Sequence, residues 1–145
     1  MPLMKKVFLG LIATALLSSC STTRNTATLS DIEGEWDITE VKGTKPSVNE
    51  GGQQPFIGFD TQNGRVYGYR GCNRIFGNIE TEEGKQSSIS LSAVGTTRMA
   101  CPDMTTEELV LSALKNIKTY GKLEGGNVVL YASDGVAAMV LQKKQ

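Results

Sequence analysis

The chain has 145 residues, with 15 lysines and arginines against 15 aspartates and glutamates, three cysteines, no histidine and 6% aromatic residues. That length suits one domain, and a formal charge of zero supplies no basic face for nucleic acid. Without histidine, His-based triads and most catalytic zinc sites are excluded, so no metal, no cofactor and no catalytic residue is expected.

The N-terminus stands apart from the rest. Met1–Lys6 is a short basic start, and Val7–Leu17 is apolar apart from Gly10 and Thr14, before Ser18, Ser19 and Cys20. A membrane-crossing helix needs about 20 apolar residues. This run is about half that, lacks a polar face and stops in serines, which predicts a secretory signal peptide. Leu17-Ser18-Ser19-Cys20 resembles the bacterial lipobox. The resemblance implies cleavage after residues 1–19 and lipid on the Cys20 thiol, two or more acyl chains being what holds a protein stably at a membrane. With Ser21 after Cys20, where the inner-membrane retention signal has aspartate, it also implies the periplasmic face of the outer membrane.

Loss of residues 1–19 removes Lys5 and Lys6 but no acid, leaving 13 basic against 15 acidic residues and a formal charge of −2. Mild acidity argues further against DNA or anionic headgroups as partners. Residues 20–30 are polar and small, the composition of a flexible tether. The domain is expected over residues 31–143.

Glu35–Val41 alternates polar and apolar residues, as a half-buried strand does. Residues 55–59 and 65–69 flank Asp60–Gly64, whose Asn63-Gly64 end predicts a hairpin. Further strands are expected over 75–79, 88–91 and 94–98. Thr105-Thr106-Glu107-Glu108 matches a capping box, with Met104 and Leu109 at the positions of a hydrophobic staple. Val110, Ala113, Leu114 and Ile117 then repeat at helical spacing and give one apolar face. Two Gly-containing turns, Gly125-Gly126-Asn127 and Ser133-Asp134-Gly135, separate strands over 119–123, 128–132 and 136–141, a meander. The whole reads as α+β: a curved antiparallel sheet, a partial barrel of about eight strands, packed with one helix.

With Cys20 assigned to lipid, Cys72 and Cys101 remain. In an oxidising compartment a disulfide is the default for such a pair, closing a loop of about 30 residues worth roughly 3.5 kcal/mol in the chain-entropy model. A metal site would need more ligands and a catalytic thiol a histidine, so both rival readings are weaker.

Gly71-Cys72-Asn73-Arg74, followed by Thr97-Arg98-Met99-Ala100-Cys101 and a short acidic-capped helix, resembles the META domain of the HslJ-like bacterial lipoproteins. Trp36 after Gly34, the Gly64–Gly71 segment and the hairpin around Asp134-Gly135 fit the same order, so the resemblance covers roughly residues 32–142. It implies a Cys72–Cys101 disulfide, a fold similar to the small envelope lipoproteins that pilot outer-membrane secretins, and roles in envelope stress, antibiotic tolerance and motility. Residues 42–54 depart from it, being longer and more polar than a compact loop, which leaves the first strand pairing open.

Asn73 and Arg74 are the polar pair to weigh as partner or ligand contacts, against the plainer account that Asn73 bonds backbone at a turn. Glu82-Glu83 and Glu107-Glu108 are adjacent carboxylates, a weak glycosidase signal, and are expected to be solvated. Gly68-x-x-Gly71 lacks the Gly-Lys-Ser/Thr ending of a phosphate loop. Trp36, Tyr67, Tyr69 and Phe76 either line a groove or fill the core, and core is expected. The function expected is a non-enzymatic envelope lipoprotein that binds a protein partner or apolar peptide through an exposed apolar patch. The alternative is a stress-protective protein holding a lipid or drug in an enclosed cavity of about 300 Å³ or more. A carboxylate-based hydrolase is the remote third.

Overall fold

A computed structural model of the protein describes residues 26–145. The leader and the Cys20 anchor expected above lie outside the described residues. In chain order come β1 (Gly34–Val41), β2 (Phe56–Asp60), β3 (Arg65–Tyr69), β4 (Arg74–Glu80), β5 (Ser90–Thr96), α1 (Thr105–Leu114), β6 (Ile117–Lys122), β7 (Val128–Ala132) and β8 (Ala137–Lys143). All eight strands form one antiparallel sheet in the order β5-β4-β3-β2-β1-β8-β7-β6. The edges of this sheet curl toward each other. Just before β5, the Ile89 N–H donates to the Lys118 carbonyl and the Ser87 carbonyl accepts from the Tyr120 N–H, each at 3.0 Å. The result is a curled half-barrel with one helix, the expected α+β architecture.

Alternation along the strands decides what fills it. Trp36 and Ile38 of β1, Ile57 and Phe59 of β2 and Val66 of β3 turn inward and are buried, while Glu35, Asp37 and Tyr67 take the other face. The β1–β8 register shifts between Ile38 and Glu40, so a bulge resets the phase and Val41 is buried as well. Val110, Ala113 and Leu114 of α1 join this core. Each buried valine, leucine, isoleucine or phenylalanine among them contributes about 1.5–3 kcal/mol on leaving water.

The 63–64 hairpin and the closing meander form as expected, and several details differ. The strands expected over 88–91 and 94–98 are one strand, β5, which bulges where Ala93 takes a φ of 48° and the β4–β5 register shifts. Helix α1 stops at Leu114, and Ile117 opens β6; a stripe at i, i+3 and i+4 also fits a helix that ends early. No capping box forms at α1: Met104 is the N-cap without a side-chain bond, Asp103 Oδ1 accepts the Thr105 N–H at 2.8 Å, and Glu107 turns inward. With the cap moved one residue, the Met104–Leu109 staple register is lost too. The packed domain also begins before Asp31: Ala27 is buried, its carbonyl accepts from Ser87 Oγ at 2.8 Å, and Leu29 lies against the core. Residues 27–30 are therefore not tether.

The long segment 42–54 does not disturb the first pairing, since β1 and β2 meet from Gly34↔Phe59 to Asp37↔Phe56. It folds back over the molecule instead. The Ser47 N–H donates to Thr106 Oγ1 at 3.0 Å, and Asn49 Nδ2 donates to the Tyr69 hydroxyl at 2.6 Å.

Candidate functional site

Strand parity carries the inward face of β3 past its last hydrogen-bonded pair, from Val66 through Gly68 to Arg70. Arg70 is only 5% exposed, which is rare for a guanidinium and requires a partner. That partner is Glu107, 1% exposed in the first turn of α1, with Arg70 Nε 3.0 Å from Glu107 Oε2. Between them the chain turns at Gly71, whose φ of 125° is open to glycine and strained for other residues. The turn aims two successive backbone N–H groups, of Cys72 and Asn73, at Glu107 Oε1, both at 2.5 Å. Asn73 Nδ2 donates to Glu107 Oε2 at 3.1 Å. Arg70 spends its other donors on the Glu107 carbonyl (Nη1, 3.1 Å) and on Thr96 Oγ1 (Nη2, 2.9 Å).

Asn73 extends this hub in the other direction. Its Oδ1 accepts from the Met99 N–H at 2.6 Å and from Thr97 Oγ1 at 2.9 Å, which fixes the segment leading into α1. The same segment is tied a second time by the Cys72–Cys101 disulfide, Cα to Cα 6.4 Å. Among the described residues every buried side-chain nitrogen and oxygen has a partner. A fully satisfied ionic network of this kind fixes one local arrangement, whereas removal of a single member leaves a buried charge uncompensated.

The fixed segment 97–103 and the folded-back loop 42–54 stand on either side of the start of α1. Between them lies a cleft of about 430 Å³. The buried Tyr69 and Glu107 line it, and so do Cys72 and Cys101 of the disulfide. Two apolar side chains face solvent on its walls, Val48 at 45% exposure and Met99 at 63%. Glu50 and Asp103 stand exposed at its rim. The bond from the Thr105 backbone holds the Asp103 carboxyl below the usual carboxylate range.

The expected site residues divide accordingly. Asn73 is in the hub, but it is 1% exposed and its side chain bonds residues 24 to 34 positions away, so neither a local turn nor a surface contact describes it. Arg74 is exposed on β4 outside the cleft, with its N–H donating to Thr97 Oγ1 at 3.0 Å. Glu107 is buried and paired, which corrects the expectation of a solvated carboxylate. Glu82, Glu83 and Glu108 are exposed as expected, and Glu82 pairs with Lys85. Trp36 is core, with its Nε1–H donating to the Ile32 carbonyl at 2.8 Å. Tyr67 and Phe76 are not core: they sit side by side in the β3–β4 register on the outer face, 39% and 56% exposed. Burial raises the Tyr67 phenol above its ordinary range, helped by the Glu35 carboxylate beside it. Tyr69 is buried on that outer face, stacked on Phe56 with ring centroids 6.5 Å apart.

Sequence reasoning missed Arg70 and misassigned Glu107. The signal was present in both cases, because Arg70 keeps the parity of Val66 and Glu107 precedes Val110 and Leu114 by three and seven residues. Among the described residues, no group of three or more Cys, Asp or Glu is arranged to hold a metal, and no helix is long and apolar enough to cross a membrane.

Comparison with solved structures shows the same fold elsewhere. The NMR structure of a protein from Burkholderia xenovorans superposes with a TM-score of 0.62 at 21% identity, covering 99% of each chain. The crystal structure of a DUF4847 family protein from Bacteroides vulgatus ATCC 8482 gives 0.51 at 14% identity, covering 79% of this chain and 95% of that one. At these identities the likeness is one of fold alone. No curated protein matches the chain. The model of the META domain matches residues 27–145, so the described domain, hub and cleft included, belongs to the META domain family.

Proposed function

We propose that this META domain is a lipid-anchored envelope protein that binds rather than catalyses, and that its cleft takes an apolar segment of a protein partner. The observation that carries this reading is the pair Val48 and Met99, two large apolar side chains exposed on opposite walls of one cleft of about 430 Å³. Apolar side chains converging on a concave surface with a few polar groups are the usual make-up of a binding site. The cleft opens to solvent, which suits a protruding segment of a partner better than the enclosed cavity a stored lipid or drug requires. Of the carboxylates at the cleft, Glu107 is the buried one that a hydrolase would draw on. Its Oε1 already accepts the Cys72 and Asn73 N–H groups, its Oε2 accepts Asn73 Nδ2 and is ion-paired with Arg70, and proton transfer would have to break these contacts. The anchor at Cys20, the outer membrane and its periplasmic face complete the reading and rest on the leader sequence.

A photo-crosslinking side chain placed at Met99 or, as control, at Arg74 tests this in intact cells. Both positions are exposed and neither side chain belongs to the hub. One identified envelope protein joined at position 99 and not at 74 is the expected result. Equal labelling at both positions, or none at 99, overturns the reading. Recovery of a lipid or other small molecule at position 99 replaces it with the ligand-binding alternative.

A further inference from the structure

The ionisable side chains that line the cleft are of one sign, and the exposed Lys42, Lys45 and Arg98 of the segments 42–54 and 97–103 are not among them. Three carboxylates line it, Glu50, Asp103 and Glu107, and no lysine or arginine does. Glu107 is neutralised from within by Arg70. The positive end of α1, which opens at the cleft, is already met by Asp103, whose Oδ1 takes the Thr105 N–H, and by Glu107 in the first turn. Glu50 and Asp103 are left exposed beside Val48 and Met99, with no ion pair to either among the described residues. The Thr105 bond lowers the Asp103 carboxyl below its ordinary range, so the exposed group at the cleft is a carboxylate. An anionic segment entering the cleft would meet two like charges, and a neutral one would desolvate them without return.

We propose that the cleft selects a cationic apolar peptide, with an apolar side chain seated between Val48 and Met99 and a lysine or arginine beside it facing Glu50 and Asp103. This inference rests on the binding function proposed above and adds the chemical class of the partner's segment. Its affinity combines burial of the apolar side chain with two partly exposed charge contacts, so it falls with salt while retaining an apolar remainder.

The test uses the full chain in zwitterionic nanodiscs, with empty discs as the blank, and two labelled synthetic peptides read by fluorescence anisotropy. One peptide has leucines flanked by lysines; its twin has glutamine at each lysine. The lysine peptide binds more tightly, and Glu50→Gln and Asp103→Asn each weaken it about two- to fivefold. Asparagine at 103 keeps an oxygen for the Thr105 N–H, so the helix start is preserved. Met99→Ala weakens both peptides. Equal binding of the twins, or indifference to the two acidic positions, overturns the cationic preference and leaves the apolar binding function standing. If neither peptide binds, both readings fall together.

Discussion

The Arg70–Glu107 hub makes a quantitative prediction about stability. Glu107→Gln keeps the size of the side chain, and its remaining oxygen still serves the Cys72 and Asn73 N–H groups. Its new amide, however, points donors at Arg70, whose Nε is now ion-paired with Glu107 Oε2 at 3.0 Å, and at Asn73 Nδ2, which now donates to that oxygen from 3.1 Å. An unpaired guanidinium at 5% exposure cannot recover its hydration. Breaking such a buried pair costs about 3–5 kcal/mol, a large share of the roughly 5–15 kcal/mol that holds a domain of this size. Arg70→Met is expected to cost about 3 kcal/mol for the converse reason, a carboxylate left with backbone and amide donors only. The double variant carries no buried charge, so its loss should fall short of the sum of the two singles by about 2 kcal/mol. Urea unfolding followed by circular dichroism measures this, a loss of 3 kcal/mol lowering the midpoint by roughly 2 M at an m near 1.5 kcal/mol/M. Additive singles, or a Glu107→Gln loss below about 1 kcal/mol, would refute the argument that the pair is desolvated and mutually dependent.

Three further outcomes follow from the packing and the charges. Replacing Cys72 and Cys101 by serine opens a loop of sequence separation 29 and should cost about 3.5 kcal/mol on the chain-entropy model, read in the same urea assay. Gly68→Ala would press its new methyl on the Phe56 carbonyl oxygen and the Ile57 Cα, backbone that cannot yield, and should cost about 3 kcal/mol or more. At Gly58 the obstacle is the Tyr67 ring, which is 39% exposed and can swing outward, so Gly58→Ala should cost about 1 kcal/mol; equal thermal shifts for the two would contradict this. The Asp31 carboxyl is lowered to about 2 by the Lys122 ammonium 2.8 Å away and by Thr28. A lowered folded value means that its contribution is present above pH 3.8 and is lost as pH falls toward 2. Asp31→Asn should therefore flatten the acid limb of the stability curve in that window and leave the slope near neutrality unchanged.

How much of this was legible depended on the range of the interaction concerned. Alternation in 35–41, the Asn63-Gly64 turn and the two late Gly-containing turns are local signals, and they placed β1, the β2–β3 hairpin and the meander correctly. The capping box expected of Thr105 and Glu108 failed because the helix starts one residue earlier: Met104 is the N-cap, its carbonyl takes the Glu108 N–H, and Asp103 takes the Thr105 N–H. Thr106 and Glu107 in that first turn serve Ser47, Cys72 and Asn73, 34 to 59 residues away, which no local pattern announces. The merger of two short strands into β5 hinges on Ala93 adopting a left-handed φ, a conformation for which alanine gives no sequence signal. At the site, Asn73 and the cysteines carried a recognisable pattern. Arg70 was hidden by the expectation that a charged residue marks an exposed position, and the cleft by a polar loop whose folding back depends on single bonds from Ser47 and Asn49.

The central claim is that the buried hub shapes the cleft through which this protein binds. Photo-crosslinking from position 99 in intact cells, carried out with and without Glu107→Gln, tests it most directly. The variant should be grown at a temperature where circular dichroism shows it folded. The account predicts one cleft-specific envelope adduct in the parent and its loss in the variant, because Met99 is held through Asn73 by the carboxylate that the variant removes. An undiminished adduct in the folded variant would contradict it.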